Sequence, residues 1–336
     1  MANIRRRHRL NLHRAREMLA FGYVYDMLDD DFVVLFLKND LPRLKHALSI
    51  PDTVICRNGS RVDGLEGLCI MLARHAYPCR FCDMMKTFGK SVPQFSLIYR
   101  EMTDLVFDNC HNLLESMDQE WLSPVNLSRY AAAVYAKGAA IPNCWGFVDG
   151  TVRPVCRPKE NQRVMYNGHK RLHAMKFQSI VAANGLIANL FGPVEGRRHD
   201  CFMLRESGLL NELEQRSFDP EGNILCIYGD PAYPLRAHLQ APFKGNNLTE
   251  IQTEFNKAMS SVRISVEWLL GDITSYFKFV DFKKSNKSWL SACGTMYTVC
   301  SLLTNAHTCL YGTCNSTSKY FGLDPPTLEE YFQVVA

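Results

Sequence analysis

Apolar residues recur at steps of three and four along residues 249–275. There Phe255, Met259, Val262, Val266, Leu269 and Ile273 mark one face of a single long helix. Asn256, Ser260, Arg263 and Glu267 form a second row one position round, which puts Glu267 at the border of the buried face. The middle of the chain follows a different pattern. Residues 175–183 and 186–191 are β-type runs joined by Asn184-Gly185, a strong hairpin turn. Two further apolar runs, Cys144-Trp145-Gly146-Phe147-Val148 and Leu225-Cys226-Ile227-Tyr228-Gly229, read as buried strands that stop at Asp149-Gly150 and Asp230-Pro231. A helix is expected over 201–215 and another, strongly apolar, over 289–310. Strand, hairpin, helix, strand, helix is the order of an α/β domain with a mixed β-sheet.

The pattern before this domain is helical. Leu65, Leu68, Cys69 and Leu72 sit at helical spacing up to the break at Tyr77-Pro78, and a short helix is expected over 81–88. Gly89-Lys90-Ser91-Val92 is a turn, and Pro93 suits the first turn of a third helix whose buried stripe is Phe95, Ile98, Met102, Leu105 and Val106. Helix, short turn, helix is the outline of a helix-turn-helix DNA reader and equally of any small helical bundle. Lys86, Lys90 and Gln94 are the candidate DNA contacts, although surface lysines commonly serve only solubility. The first residues, with Arg5, Arg6, Arg7 and Arg9, form a basic arm that suits nuclear import, phosphate binding or a solvated helix. Asp26 and Asp29 to Asp31 follow as an acidic patch, with mostly helix and loops up to Arg57. The expected division is an arm with helices over 1–60, a helix-turn-helix-like region over 61–140, the α/β domain over 141–312 and a tail over 313–336.

Composition narrows this picture a little. At 336 residues and 47% hydrophobic the chain can fill a sizeable core, and a net charge of +4 permits nucleic acid without demanding it. Thirteen cysteines without an apolar leader after the basic start are expected as reduced, intracellular core thiols. No stretch approaches the length of a membrane span.

The candidate chemistry lies in three acids. A carboxylate at the end of a buried strand is costly unless it stays wet, paired or bound to a cation. Asp149, Asp230 and the helix-borne Glu267 come from distant stretches, and together they suit a hard-metal site for phosphate chemistry. Asp149 is assigned the bridging position, Asp230 the second ion, and Glu267 the completion of the sphere or the orientation of the attacking water. Taken singly, Asp-Gly and Asp-Pro are also ordinary turn starters. Residues 152–176 add Arg153, Arg157, Lys159, Arg163, Lys170, Arg171 and Lys176 against one acid, Glu160. That charge suits a phosphate backbone, and a solvated loop explains it as well.

A longer set of motifs runs in order through the domain: Gly146-Phe147-Val148-Asp149-Gly150-Thr151, then Tyr166-Asn167-Gly168-His169-Lys170-Arg171, His173 and Lys176-Phe177-Gln178. It continues with Gly192-Pro193, Gly196-Arg197-Arg198-His199-Asp200 and Gly229-Asp230-Pro231-Ala232-Tyr233-Pro234. It closes on Asn256, Arg263 and Val266-Glu267-Trp268-Leu269-Leu270-Gly271. This set resembles the DDE endonuclease domain of PIF/Harbinger-type transposases and their domesticated relatives. The helical stretch from Val62 to Leu114, with Phe88-Gly89-Lys90-Ser91, also resembles the helix-turn-helix region of the same family. The resemblance implies an RNase H-like fold with Asp149, Asp230 and Glu267 as metal-binding catalytic residues and a pair of Mg²⁺ or Mn²⁺ ions. Phosphodiester hydrolysis at transposon ends and transfer of the 3′-hydroxyls to target DNA is the implied activity. It further implies a homodimer or higher oligomer, a Myb-like DNA-binding partner and residence in the nucleus. His199, Asp200, Asn256, Arg263, Lys170 and Arg171 are carried over as supporting or DNA-binding residues. Val266 and Trp268 are bulkier than the arginine often found beside the glutamate in relatives, which bears on fine geometry. The alternative is a domesticated host protein that binds DNA or a partner and no longer transposes.

Other signals carry less. Cys79 and Cys82 have zinc-type spacing without a second pair. His169 and His173 lack a metalloprotease glutamate, and His307, Cys309 and Cys314 gather near a helix end. There is no phosphate-loop motif for nucleotide hydrolysis.

Overall fold

The computed structural model describes residues 35–284, 286–287, 292–312 and 315–334. The basic arm, the acidic patch at Asp26 to Asp31, the first residues expected for the apolar helix at Trp289, and Cys314 lie outside the described residues. The chain divides into two units, Met1–Val106 and Phe107–Ala336. The boundary expected at residue 140 therefore falls inside the second unit.

The first unit begins with α1 (Leu41–Ala47) and a small antiparallel hairpin of β1 (Thr53–Ile55) and β2 (Arg61–Asp63). The sequence reading missed this hairpin. Its signal is Asn58-Gly59, with Gly59 at φ 77°, between Val54 and Val62, which pair in register and are both buried. Helices α2 (Gly64–Ala76), α3 (Phe81–Phe88) and α4 (Val92–Cys110) follow at the positions expected, the last four residues of α4 being counted with the second unit. Asp63 caps α2 by accepting from the amides of Leu65 and Glu66. Gly89, left-handed at φ 66°, ends α3. Phe95, Ile98, Met102 and Val106 are buried, as the stripe required, whereas Leu105 is only half-buried. Lys86 is exposed, and Lys90 is not. Lys90 is 6% exposed and its Nζ stands 2.9 Å from Oε1 of the equally buried Glu66. Its assignment as a DNA contact is corrected on that ground: a buried lysine committed to a buried carboxylate has no charge to offer a phosphate.

The second unit opens with α5 (Pro124–Ala136) and then builds its sheet. The elements are β3 (Cys144–Pro154), the short α6 (Gln162–Met165), β4 (Tyr166–Asn167), β5 (Leu172–Ala182) and β6 (Ile187–Glu195). Next come α7 (Asp200–Glu206), α8 (Leu209–Arg216), β7 (Cys226–Tyr228) and β8 (Leu239–Gln240). Helices α9 (Glu250–Tyr276), α10 (Lys278–Asp281), α11 (Cys293–Leu310), α12 (Ser316–Phe321) and α13 (Leu328–Phe332) complete it. Across the sheet the order is β6, β5, β3, β7, β8, with β4 pairing the start of β5. The first three strands run antiparallel, and β7 and β8 are parallel to β3. This mixed sheet in an α/β unit is consistent with the RNase H-like expectation.

Two details differ from the sequence reading. Strand β3 does not stop at Asp149; it continues to Pro154, because β5 pairs with it from Gly146↔Ala182 through Asp149↔Ser179 to Pro154↔Ala174. The helix expected over 201–215 is two helices, since Gly208 adopts φ 65° and breaks the run. The apolar helix α11 is tied to the hairpin by Asn305, whose side chain accepts from the Ile187 amide at 2.9 Å and donates to its carbonyl at 2.9 Å. That amide substitutes for a strand partner at a buried edge. Tyr297 of α11 lies 4.4 Å from Phe177 of β5 between ring centroids, filling the space under the sheet.

Candidate active site

The register of β3 and β7 brings the first two acids together. Phe147 and Tyr228 are paired on adjacent parallel strands, and Asp149 and Asp230 each lie two residues further on. A two-residue step returns to the same face of the sheet, so both acids lie on the same side, Asp149 within β3 and Asp230 just past the end of β7. The third acid arrives on α9, whose Thr249 cap accepts from the Gln252 amide and whose buried face includes Met259, Val262, Val266, Leu269 and Ile273. Phe255, expected on that face, is only half-buried and meets Phe243 edge-on with ring centroids 5.1 Å apart.

Arg263 joins this helix to the sheet. Its Nη1 is 3.5 Å from Asp149 Oδ1, and its Nη2 is 3.5 Å from Glu267 Oε1, one turn along the helix. The Asp149 side chain is 21% exposed and that of Glu267 is 59% exposed. Burial drives the Asp149 carboxyl up from 3.8 to about 6, against the opposing pull of Arg263 and the Gly150 amide, and the negative charges of Asp230 and Glu267 push it the same way. The three acids thus share one electrostatic neighbourhood. Among the described residues, however, no three acidic, histidine or cysteine side chains stand close enough to hold a metal ion as they are. The reason is visible in the geometry: a guanidinium sits between two of the carboxylates, and like charges do not close up on one another.

The donor set nevertheless fits a hard cation. All three donors are carboxylates, the ligand class that Mg²⁺ and Mn²⁺ prefer. Three negative charges meet one guanidinium. Ser179 Oγ, directly across from Asp149, and Tyr228 Oη are buried and make no hydrogen bond, and neither does Arg263 Nη1. Burial raises the Tyr228 hydroxyl to about 12, so it stays a proton donor, and it lies within the field of Arg263. Buried polar groups without partners are uncommon in a finished core and mark a place where water or a ligand oxygen belongs. Ser179 and Tyr228 escaped the sequence reading because each occupies an ordinary strand position.

Asp200 supports the site from the other face of β3. It takes a hydrogen bond from Lys176 Nζ at 2.5 Å, and Lys176 also donates to the Arg198 carbonyl at 3.0 Å. A side chain at position 150 would meet Asp200 Oδ1 at 2.7 Å, so glycine beside Asp149 lets this pair approach the strand. A side chain at 229 would likewise meet the Tyr233 ring at 2.7 Å and Val148 at 2.9 Å, which keeps glycine before Asp230. Asp230 Oδ1 accepts from the Ala232 amide at 2.9 Å, fixing its turn.

The remaining expected residues scatter. His199 is exposed at the start of α7 and makes no side-chain capping bond. Asn256 is not a free DNA contact: its Oδ1 accepts from the Phe243 amide at 2.9 Å and its Nδ2 donates to the Phe243 carbonyl at 3.0 Å. Both of its polar atoms are spent pinning the loop before α9. Lys170 and Arg171 are exposed in the β4–β5 turn, where Arg171 has φ 54°.

Comparison with known proteins places this arrangement. The family model described as DDE superfamily endonuclease matches residues 148–305. Protein ALP1-like from Arabidopsis thaliana is 24% identical over 158 residues, which is 44% of this chain and 39% of that protein. A probable transposase for insertion sequence element IS702 from Microchaete diplosiphon is 26% identical over 125 residues, 36% of this chain and 42% of that protein. The matches span less than half the length of these curated relatives. No solved structure matches the chain. The matched stretch from 148 to 305, which contains all three acids, is similar to the DDE superfamily endonucleases.

Proposed function

We propose that this protein is a metal-dependent DNA endonuclease acting as a transposase. It hydrolyses phosphodiesters at transposon ends and transfers the freed 3′-hydroxyls to target DNA. The observation that carries the reading is the charge imbalance at the site: Asp149, Asp230 and Glu267 converge on one electrostatic neighbourhood with Arg263 as their counter-charge. Asp149, Asp230 and Glu267 would hold Mg²⁺ or Mn²⁺. When bound, such ions lower the pKa of an attacking water or hydroxyl and stabilise the leaving oxygen. Arg263 keeps Asp149 and Glu267 oriented toward each other, and Lys176 with Asp200 holds the neighbouring stretch of β3 in place. The Tyr228 hydroxyl and Arg263 offer hydrogen-bond donors to a phosphate oxygen. Action in the nucleus, a multimer that brings two DNA ends together and a Myb-like partner follow from the family resemblance and belong to the same proposal, as does DNA reading by α2 to α4.

A second reading is favoured by one observation, the arginine lodged between two of the acids. A domesticated protein could keep Arg263 there permanently and use the fold to bind DNA or a partner without cutting. Incubation with DNA carrying any terminal inverted repeats found on either side of the gene, with and without Mg²⁺, decides between them. Mg²⁺-dependent cutting that Asp149→Ala abolishes supports the nuclease. Equal cutting by that variant removes this site from the reaction, and no cutting by the native protein favours the second reading.

A further inference from the structure

The basic residues of segment 152–176 do not act as one patch once folded. Arg153 turns inward, its guanidinium 5.2 Å from the Tyr297 ring centre and 3.6 Å from Asp281, and Lys176 is committed to Asp200. The others remain outside. Arg157, Lys159 and Arg163 are exposed on the β3–β4 connection, and none has a carboxylate partner among the described residues. A residue from elsewhere joins them: the Arg197 amide donates to the Val164 carbonyl at 3.2 Å, which brings the β6–α7 loop against α6. Lys159, Asn161, Gln162, Arg163, Val164 and Arg197 line an open cavity of about 840 Å³. Gln162 braces the rim, accepting from Arg157 Nε at 2.9 Å.

His173 is held below its ordinary value by partial burial and by the positive charges of Arg157 and Lys283. Two acids are near. Glu160 is exposed beside Lys159, and Glu195, whose charge reaches Arg197, is already paired with Arg198 at 2.9 Å. Lys159, Arg163 and Arg197 thus line one wide, open concavity, an arrangement that suits a phosphate backbone.

We infer that the cavity lined by Lys159, Arg163 and Arg197 is a docking site for the backbone phosphates of duplex DNA, separate from the acid site on the same sheet. The inference rests on the nuclease reading for the choice of DNA as the polyanion. His173, at this end of β5, is six residues from Ser179, the partner of Asp149, a distance of about 20 Å along a strand. At 3.4 Å per base pair that is about six base pairs of duplex. These cations grip and orient DNA independently of its sequence.

The test is duplex binding by fluorescence anisotropy, using about 30 base pairs of mixed sequence in EDTA across a salt series. The variant Lys159→Ala/Arg163→Ala/Arg197→Ala is compared with Arg129→Ala/Arg205→Ala/Lys319→Ala, which removes the same charge from exposed sites elsewhere in the unit. The first should bind at least about tenfold more weakly near physiological salt, with a salt slope reduced by about 2 to 3, while the second stays close to the native protein. Unchanged melting curves show that both variants fold. Equal affinities and slopes for the two triple variants would overturn the inference. Cleavage by the native protein separates the two claims: native protein that binds through this face but never cuts would sink the nuclease reading alone, whereas native protein that cuts while both triple variants bind DNA equally would sink this inference alone.

Discussion

In the first unit, Glu66 and Lys90 are each about 5% exposed and stand 2.9 Å apart, one charge against one. In the second unit, Asp149 and Glu267 share a single guanidinium at 3.5 Å, and Asp230 adds a third negative charge beside Asp149. Both places set carboxylates beside a cation, and only the first is settled. A balanced pair stabilises or specifies a fold, whereas an excess of one sign beside buried hydroxyls without partners stores a demand for a ligand. Lys176 with Asp200 shows the settled kind again, within reach of the unsettled one. Charge balance, rather than burial alone, separates structural acids from the candidate catalytic ones here.

The largest effect expected from breaking the comparison is on activity. Asp149→Asn or Asp230→Asn should lower Mg²⁺-dependent cleavage about a thousandfold or more, while Glu66→Gln should leave the rate of correctly folded protein unchanged. Single-turnover cleavage assays measure both. On stability the order reverses. Lys90→Met strands Glu66 in the interior and should cost about 3–5 kcal/mol in urea unfolding. The double change Glu66→Leu/Lys90→Met should recover most of that loss.

Asp149→Asn should do the opposite and stabilise. The folded protein holds this carboxyl at about 6 in place of 3.8, and each pKa unit is about 1.4 kcal/mol. Since the folded value is raised, the penalty is absent below about pH 4, grows as pH rises toward 6 and is constant above it. Without divalent ions the variant should therefore be about 3 kcal/mol more stable than the native protein at neutral pH, and no more stable below about pH 4. Thermal melts at both pH values test the sign. The smallest effect belongs to Asn256→Ala. Losing the two bonds to the Phe243 backbone should cost about 1–2 kcal/mol and leave DNA affinity unchanged, in contrast to a base- or phosphate-contacting residue.

Much of this site was legible before folding. The period of α9 put Arg263 and Glu267 on the edge of the buried face, and two apolar runs ending at Asp149 and Asp230 announced adjacent strands. What the pattern lacked was pairing. Only the β5 ladder shows that β3 runs on through Asp149 to Pro154, and a one-strand view cannot contain that partner. Residues with two roles were misread for a related reason. Lys90 and Lys176 look like surface charge in a sequence, because nothing local shows that Glu66 or Asp200 will meet them. Asn256 has the spacing of a functional residue, yet its partner is the backbone of a loop thirteen residues away. Helix and strand identity are local properties, and charge partnership is not.

The central claim is that the acid cluster is an unmet cation site, and calorimetric titration of Mn²⁺ into the native protein, Asp149→Asn and Asp230→Asn tests it most directly. The account predicts saturable binding to the native protein that either substitution weakens at least about tenfold. Equal Mn²⁺ binding by all three proteins, or none by the native one, would contradict it.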